Sequence, residues 1–409
     1  MRFFALLISF ITLVTGSAAY AADNIKDAFE QGSLKGELRG YYFERDFEDS
    51  KDRADLAAGT LFYYRTAAVN GLSAGVAFAS ASDIGDNDDK MVYGLVKGFG
   101  TSKHESFNRL QEYYIQGEWF DTKIKYGAQE INTPFMSGHD IRLLPKTYRG
   151  LSVVNNSIKN LELSGYYITD FQGWWDDEFV SMISVSGEEV DRDLVVGGVK
   201  YTLPIDAVKI QLQGWKYYMN DVFDTSFLKA YTSKKIGDYD LFFTPSVLFQ
   251  KSVGKELGGR EFDTYQYGFN TGVRAHGFNI AAYYAKTGDD ELYVPWGDEK
   301  VIIQQINAAG RADEEAYALR VEYDFSKIGI KGLSAYVFHT YYDANELQYS
   351  TQKAKDINET DLSAQYNFSG ALDGFSVRVR YAMIDAEGGE NFNDFRVYLR
   401  YNFALNGKK

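Results

Sequence analysis

A strict period of two near the C-terminal end constrains this chain more than any other feature. In 375–383, Phe375, Val377, Val379, Tyr381 and Met383 alternate with Ser376, Arg378, Arg380 and Ala382. In 395–403, Phe395, Val397, Leu399, Tyr401 and Phe403 alternate with Arg396, Tyr398, Arg400 and Asn402. Period two puts each set on one face of an extended strand, so one face is oily and the other wet. Aromatic side chains close both ends of the oily face, as the two interfacial girdles of a membrane-spanning strand require.

The pattern recurs along the chain. It predicts about eighteen strands, at 36–46, 54–66, 72–82, 110–119, 123–130, 147–155, 160–168, 194–202, 208–219, 226–234, 240–251, 263–275, 278–288, 314–325, 333–343, 357–368, 375–386 and 393–403. Short turns are expected at Asn70-Gly71, Asp121-Thr122, His276-Gly277 and from Pro204 to Ala207. Asn-Gly is a strong hairpin signal because both residues accept positive φ. Longer, acidic loops run over Asp83 to Asp89, Asp176 to Glu178, Glu188 to Asp193 and Asp289 to Glu299, and most of their acids are expected in solvent. Short turns at one end and long loops at the other are the asymmetry of an outer-membrane barrel with periplasmic termini. The expected fold class is all-β, a transmembrane antiparallel β-barrel.

The N-terminus supplies the compartment. Met1-Arg2 is basic, Phe3 to Val14 is apolar, and Ala19-Tyr20-Ala21 is a small-x-small cleavage site. The apolar run is shorter than the ~20 residues needed to span a bilayer. Residues 1–21 therefore read as a signal peptide and 22–409 as the barrel, with 22–33 a short periplasmic tail. No cysteine is present, so a disulfide framework is excluded and a closed hydrogen-bond ladder is the alternative support. The chain has 32 Tyr and 29 Phe against 5 Pro, and its mean hydropathy is only −0.33. Strands with one oily and one polar face reconcile those values, in a barrel or in a soluble sandwich. The formal charge is −14, and loss of Arg2 with the leader makes it −15. That argues against nucleic acid as a partner.

Several stretches resemble the OprD-type porin family. Leu38 to Asp46 is similar to its first strand. Lys125 to Phe135, followed by Asp140-Ile-Arg-Leu-Leu-Pro145, is similar to its fifth strand and the start of its third loop. Asn220 to Phe223, Tyr323 to Ser326 with Gly329 to Leu333, and Phe395 to Phe403 also match, in the family's order. The resemblance implies eighteen strands, a third loop folded inward to narrow the pore, and a basic ladder that guides carboxylates. Family members pass amino acids, basic peptides, or aromatic and aliphatic acids. One departure is that Ala404 to Lys409 follow Phe403, where such barrels commonly end.

Alternation assigns the inner faces. Glu37, Arg39, Tyr41, Phe43 and Arg45 point inward on the first strand, Arg378 and Arg380 on the seventeenth, and Arg396 and Arg400 on the eighteenth. Closure pairs the last strand with the first, so six arginines form one stripe. Arg stays charged and grips carboxylates through a planar fork. The stripe is either a ladder for anionic solutes or wall structure neutralised by acids such as Glu37 or Asp140. Arg320, Lys125 and Lys209 also read inward, more scattered. The third loop, Ile131 to Lys146, mixes Asn132, Pro134, Asp140 and Arg142 with Phe135, Met136 and Leu143. Asp140 and Arg142 are either staples for its buried backbone or solute contacts.

The expected function is an outer-membrane porin for small hydrophilic, carboxylate-bearing solutes. A porin selective for phosphate or cations is the alternative, with an enzyme or adhesin barrel behind it. His104, His139, His276 and His339 have no metal spacing. No catalytic group, metal or cofactor is expected. The partners expected are outer-membrane lipid and small solutes, with the barrel a monomer or a homotrimer.

Overall fold

The computed structural model describes residues 22–85, 89–185, 188–297, 299–344 and 355–406. The expected signal peptide and its cleavage site lie outside them. The chain opens with a short helix, α1 (Ile25–Glu30), capped by Asn24, whose side chain accepts from Asp27 N at 3.0 Å. Eighteen long strands follow. They are β1 (Ser33–Phe47), β2 (Arg53–Arg65), β3 (Leu72–Asp83), β4 (Phe107–Trp119), β5 (Thr122–Gln129), β6 (Thr147–Asn155), β7 (Leu161–Gln172), β8 (Leu194–Thr202) and β9 (Lys209–Met219). The second half comprises β10 (Phe223–Ile236), β11 (Tyr239–Ser252), β12 (Asp263–Ala275), β13 (Phe278–Thr287), β14 (Glu315–Asp324), β15 (Leu333–Asp343), β16 (Asp356–Asn367), β17 (Phe375–Ala386) and β18 (Phe392–Asn406).

Each strand pairs antiparallel with the next, and β1 closes the ring on β18, from Ser33↔Asn406 to Phe47↔Phe392. No sheet edge is left within the ring, which a wall in lipid requires. Residues 404–406 prolong the last strand beyond Phe403 and pair with Ser33 to Lys35. Two short pieces, Met91–Val92 and Val180–Ser181, add to the wall beside β2 and β7.

Alternation sets the faces as the sequence implies. Outward side chains such as Leu38, Phe62, Ile115, Leu319 and Leu399 are exposed, while Arg39, Tyr41 and Phe43 are buried inside. Two-residue turns with both φ positive link strands at the short end, at Asn70-Gly71 and His276-Gly277. The turn expected at Asp121-Thr122 falls one residue earlier, on Phe120-Asp121, because Thr122 already pairs with Trp119. The expected tail at 22–33 instead carries α1 and the start of β1. Among the described residues no helix is long and apolar enough to cross a membrane, and the strands do so instead.

Candidate functional site: the constriction

Connections at the open end fold into the barrel. Loop 3, residues 130–146, leaves the wall where Gly127 on β5 faces Gly150 on β6. Both have positive φ, and a Cβ on either would stand 2.2 or 2.1 Å from a carbonyl oxygen of the adjoining strand. Only glycine allows that bend. The loop then makes a small hairpin, Asn132–Thr133 with Met136–Ser137, and half-buried Pro134 sits in its turn.

Loop 3 crosses the lumen. The Phe135 ring meets Tyr217 on β9 and Phe227 on β10, with centroids 5.7 and 5.1 Å away. Eight residues on, Leu143 and Leu144 are buried with Tyr41, Phe43, Leu61 and Ala79 of β1 to β3. In an eighteen-strand ring, β1 and β10 are diametrically opposed. One loop that reaches both must divide the space between them.

Asp140 fixes the near end. Its Oδ1 accepts from Arg39 Nη1 at 2.6 Å and its Oδ2 from Arg400 Nη1 at 3.2 Å. Glu37 also accepts from Arg39 Nη2, at 2.7 Å, and lies 3.5 Å from Arg400 Nε. Arg39 donates in addition to the Leu143 carbonyl at 2.8 Å. Burial raises the Asp140 pKa, but Arg39 and Arg400 outweigh it and hold this carboxyl below the ordinary aspartate range. His139 is pushed down to about 3 by burial, then by Lys146 and Arg142. Asp140 and Arg39 thus tie loop 3 to the barrel wall.

The rest of the arginine stripe lies above. Arg45 and Arg396 share Asp394, at 2.9 and 2.7 Å, and both donate to Tyr93 Oη. The Tyr93 hydroxyl itself donates to Asp394. Arg380 reaches Asp361 at 3.5 Å. Among the described residues Arg378 hydrogen-bonds only to neutral hydroxyls, Ser363 Oγ at 3.2 Å and Tyr336 Oη at 3.3 Å. Arg142 sits among the rings of Phe43, Tyr93 and Trp174, 5.4–5.7 Å from each, and its Nε and Nη1 have no hydrogen-bond partner among the described residues. Its pKa falls to about 10 through burial and then the adjacent Arg396. Arg320 stands apart on β14, paired with Glu322 at 3.0 Å and stacked on Tyr336 at 4.1 Å. Lys125 lies over the Tyr114 ring and Lys209 over Tyr231, away from the stripe.

Loop 7, residues 288–314, closes in from the other side. The stretch Asp289 to Glu299, expected in solvent, buries Leu292 and Trp296. The Trp296 carbonyl accepts from Ser137 N at 3.2 Å and from Tyr148 Oη at 2.8 Å, so loop 7 rests on loop 3. Further along, Glu359 on β16 accepts from the backbone N–H groups of Ile306 and Asn307, and Asp361 from that of Gln305. Arg109 on β4 ties the Pro145 carbonyl of loop 3 to Gly173 and Asp176 of the fourth loop. Sequence reading missed Tyr93, Arg109, Gln305, Glu359, Asp361 and Asp394. The one available signal was parity, since Arg109, Glu359, Asp361 and Asp394 are charges at inward positions of strands.

Among the described residues no group of three or more His, Cys, Asp or Glu side chains is placed to hold a metal. No curated protein matches the chain. Solved structures do. Pseudomonas aeruginosa OpdK with vanillate has a TM-score of 0.82 at 19% identity, over 92% of this chain and 100% of that one. Pseudomonas aeruginosa OccK9 (OpdG) has 0.82 at 21%, over 92% and 100%. Acinetobacter baumannii OccAB3 has 0.81 at 18%, over 91% and 99%. These likenesses establish the fold. The family profile described as outer membrane porin, OprD family, matches residues 26–405. A closed barrel narrowed from within and that match across nearly its whole length lead to one conclusion: the chain belongs to the OprD family of outer membrane porins.

Proposed function

We propose that this pore favours small hydrophilic solutes bearing a carboxylate, such as amino acids and small organic or aromatic acids, and passes them by diffusion. The observation that carries this reading is the inner face of β17. Among the described residues Arg378 has only hydroxyl partners there, and Arg380 beside it pairs with Asp361 at 3.5 Å. Arg142 adds a third guanidinium with two unpartnered nitrogens, across from β18. A carboxylate can exchange between such groups because each attracts it and none is saturated. Arg39, Arg400, Arg45 and Arg396 belong to the same stripe, with acids already bound to them. They are the scaffold of the ladder, and Arg378, Arg380 and Arg142 are its rungs. Arg320, paired and displaced by three strands, serves the wall.

Vanillate, which accompanies OpdK in its crystal structure, is an aromatic carboxylate and fits the same chemistry. A phosphate-selective pore is disfavoured because Glu37, Asp140, Asp361 and Asp394 stand among the arginines. We assign the chain no catalytic role and no nucleic-acid partner. Each barrel holds its own constriction, so a monomer and a homotrimer would conduct by the same route. The test is uptake of labelled benzoate and of a neutral sugar of similar size into vesicles at low salt. The proposal expects benzoate to enter faster. Equal rates would refute it.

A further inference from the structure

Among the described residues the barrel buries one of the three faces of α1. Ala28 is buried with Ala22 and Ala67 against the β2–β3 turn, and its carbonyl accepts from Ala67 N at 2.9 Å. Lys26 and Glu30 pair at 3.6 Å on a second, charged ridge. Ile25 and Phe29, also four residues apart, make the third ridge and are 74% and 59% exposed.

That apolar ridge continues the lipid-facing wall. The Phe29 ring stacks on Tyr64, with centroids 6.3 Å apart and planes inclined by 13°. Tyr64 Oη donates to the Phe29 carbonyl at 2.6 Å. Gly32 makes room for this contact, because a Cβ there would stand 2.4 Å from Tyr64 Oη. Tyr64 is two residues from Phe62 and shares its outward face, and Phe62 meets Phe403 edge to face at 6.2 Å. Phe62, Tyr64 and Phe403 all lie at the periplasmic end of their strands, where an aromatic girdle meets the headgroups. Phe29 adds one more ring to that girdle.

We infer that Ile25 and Phe29 insert into the periplasmic leaflet of the outer membrane, so that α1 is an interfacial anchor seated on phospholipid. Its charged ridge then faces water and headgroups, and its alanine ridge faces the barrel. This is the division expected of a helix lying in the interface plane. The occupant is phospholipid because the ridge is continuous with the surface that the strands already present to lipid. A second copy of the chain, or a periplasmic protein, would instead seal the ridge from lipid.

The absence of cysteine makes the test clean. Ile25→Cys, Phe29→Cys and Lys26→Cys each take a single nitroxide label. The barrel is then reconstituted in phosphatidylcholine vesicles, with folding checked by heat-modifiable gel mobility. Collision rates are read by electron paramagnetic resonance with oxygen, which partitions into lipid, and with a water-soluble nickel chelate. The inference expects labels at 25 and 29 to favour oxygen several-fold over the chelate, relative to the label at 26. Free collision with the chelate at 25 and 29 would place the ridge in water and overturn it. Shielding from both reagents would place protein over the ridge and overturn it equally. If the Phe29 variant does not fold, Ile25→Cys against Lys26→Cys carries the same decision.

Discussion

Asp140 and Arg39 meet at 2.6 Å across 101 residues of sequence, joining the middle of loop 3 to the strand that closes the barrel. Arg400, from the other strand of that closure, binds the second carboxylate oxygen at 3.2 Å. One side chain therefore ties the seam of the barrel to its constriction. Asp140→Asn keeps the shape and removes the charge, leaving two guanidiniums with Glu37 alone. Breaking a buried ion pair costs about 3 kcal/mol. The variant should unfold at lower denaturant concentration, and its single-channel current should be noisier. Unchanged stability and noise would remove Asp140 from this role.

Acid should release the same staple. The Asp140 pKa is depressed in the folded protein. Its contribution is therefore complete above the ordinary aspartate value and is lost as pH falls through the lowered one. His139, at about 3, stays neutral through the neutral range and adds no step near its ordinary value of about 6.5. Glu130, at the start of the same loop, is held well above the ordinary glutamate range by burial and by Glu112, so any step it causes nearer neutral pH belongs to both proteins. Below the ordinary aspartate value the planar-bilayer conductance of the native barrel should change again, and that of Asp140→Asn should not. Identical acid limbs in the two proteins would contradict the assignment.

Loop 3 is expected to limit the flow. Deleting 136–143 removes the bridge between its two anchor points and should raise conductance in a correctly folded barrel. Gly297→Ala tests the contact from the opposite side. A Cβ there would lie 2.7 Å from Met136 N and from the Phe135 carbonyl carbon. Loop 7 must then shift off loop 3, at a cost of about 1–3 kcal/mol, and the current should change with it. Equal conductance in both variants would mean that solutes pass elsewhere.

The wall was legible in the sequence because its signal is local. Period two gave all eighteen strands, and the face assigned to Arg378 or Arg396 follows from parity alone. Its lapses were local too. The strand expected to end at 168 runs on to Gln172, because the register shifts between Ile168 and Asp170 and breaks the alternation. The inward course of loop 3 was implied by resemblance. What parity could not supply was the partner across the lumen. Asp394 reaches Arg45 from 349 residues away, and Gln305 reaches Asp394 from 89. The acidic stretch before Glu299 looked like a solvated loop because Asp289, Asp290 and Glu291 open it, although Leu292 and Trp296 behind them are the residues that dock.

The central claim is that the unsaturated guanidiniums on β17 draw carboxylates through this pore. Replacing Arg378 and Arg380 together by Gln keeps hydrogen-bonding capacity and removes two charges. A unit charge 4 Å from a carboxylate contributes about 1 kcal/mol in water, so losing two should lower uptake of benzoate roughly thirtyfold. The difference should fade as salt shortens the screening length from ~10 Å at ~0.1 M to ~3 Å at ~1 M. A neutral sugar of similar size should enter the double variant at the unaltered rate. If both solutes slow equally, or if benzoate uptake is unchanged at low salt, the ladder does not guide permeation.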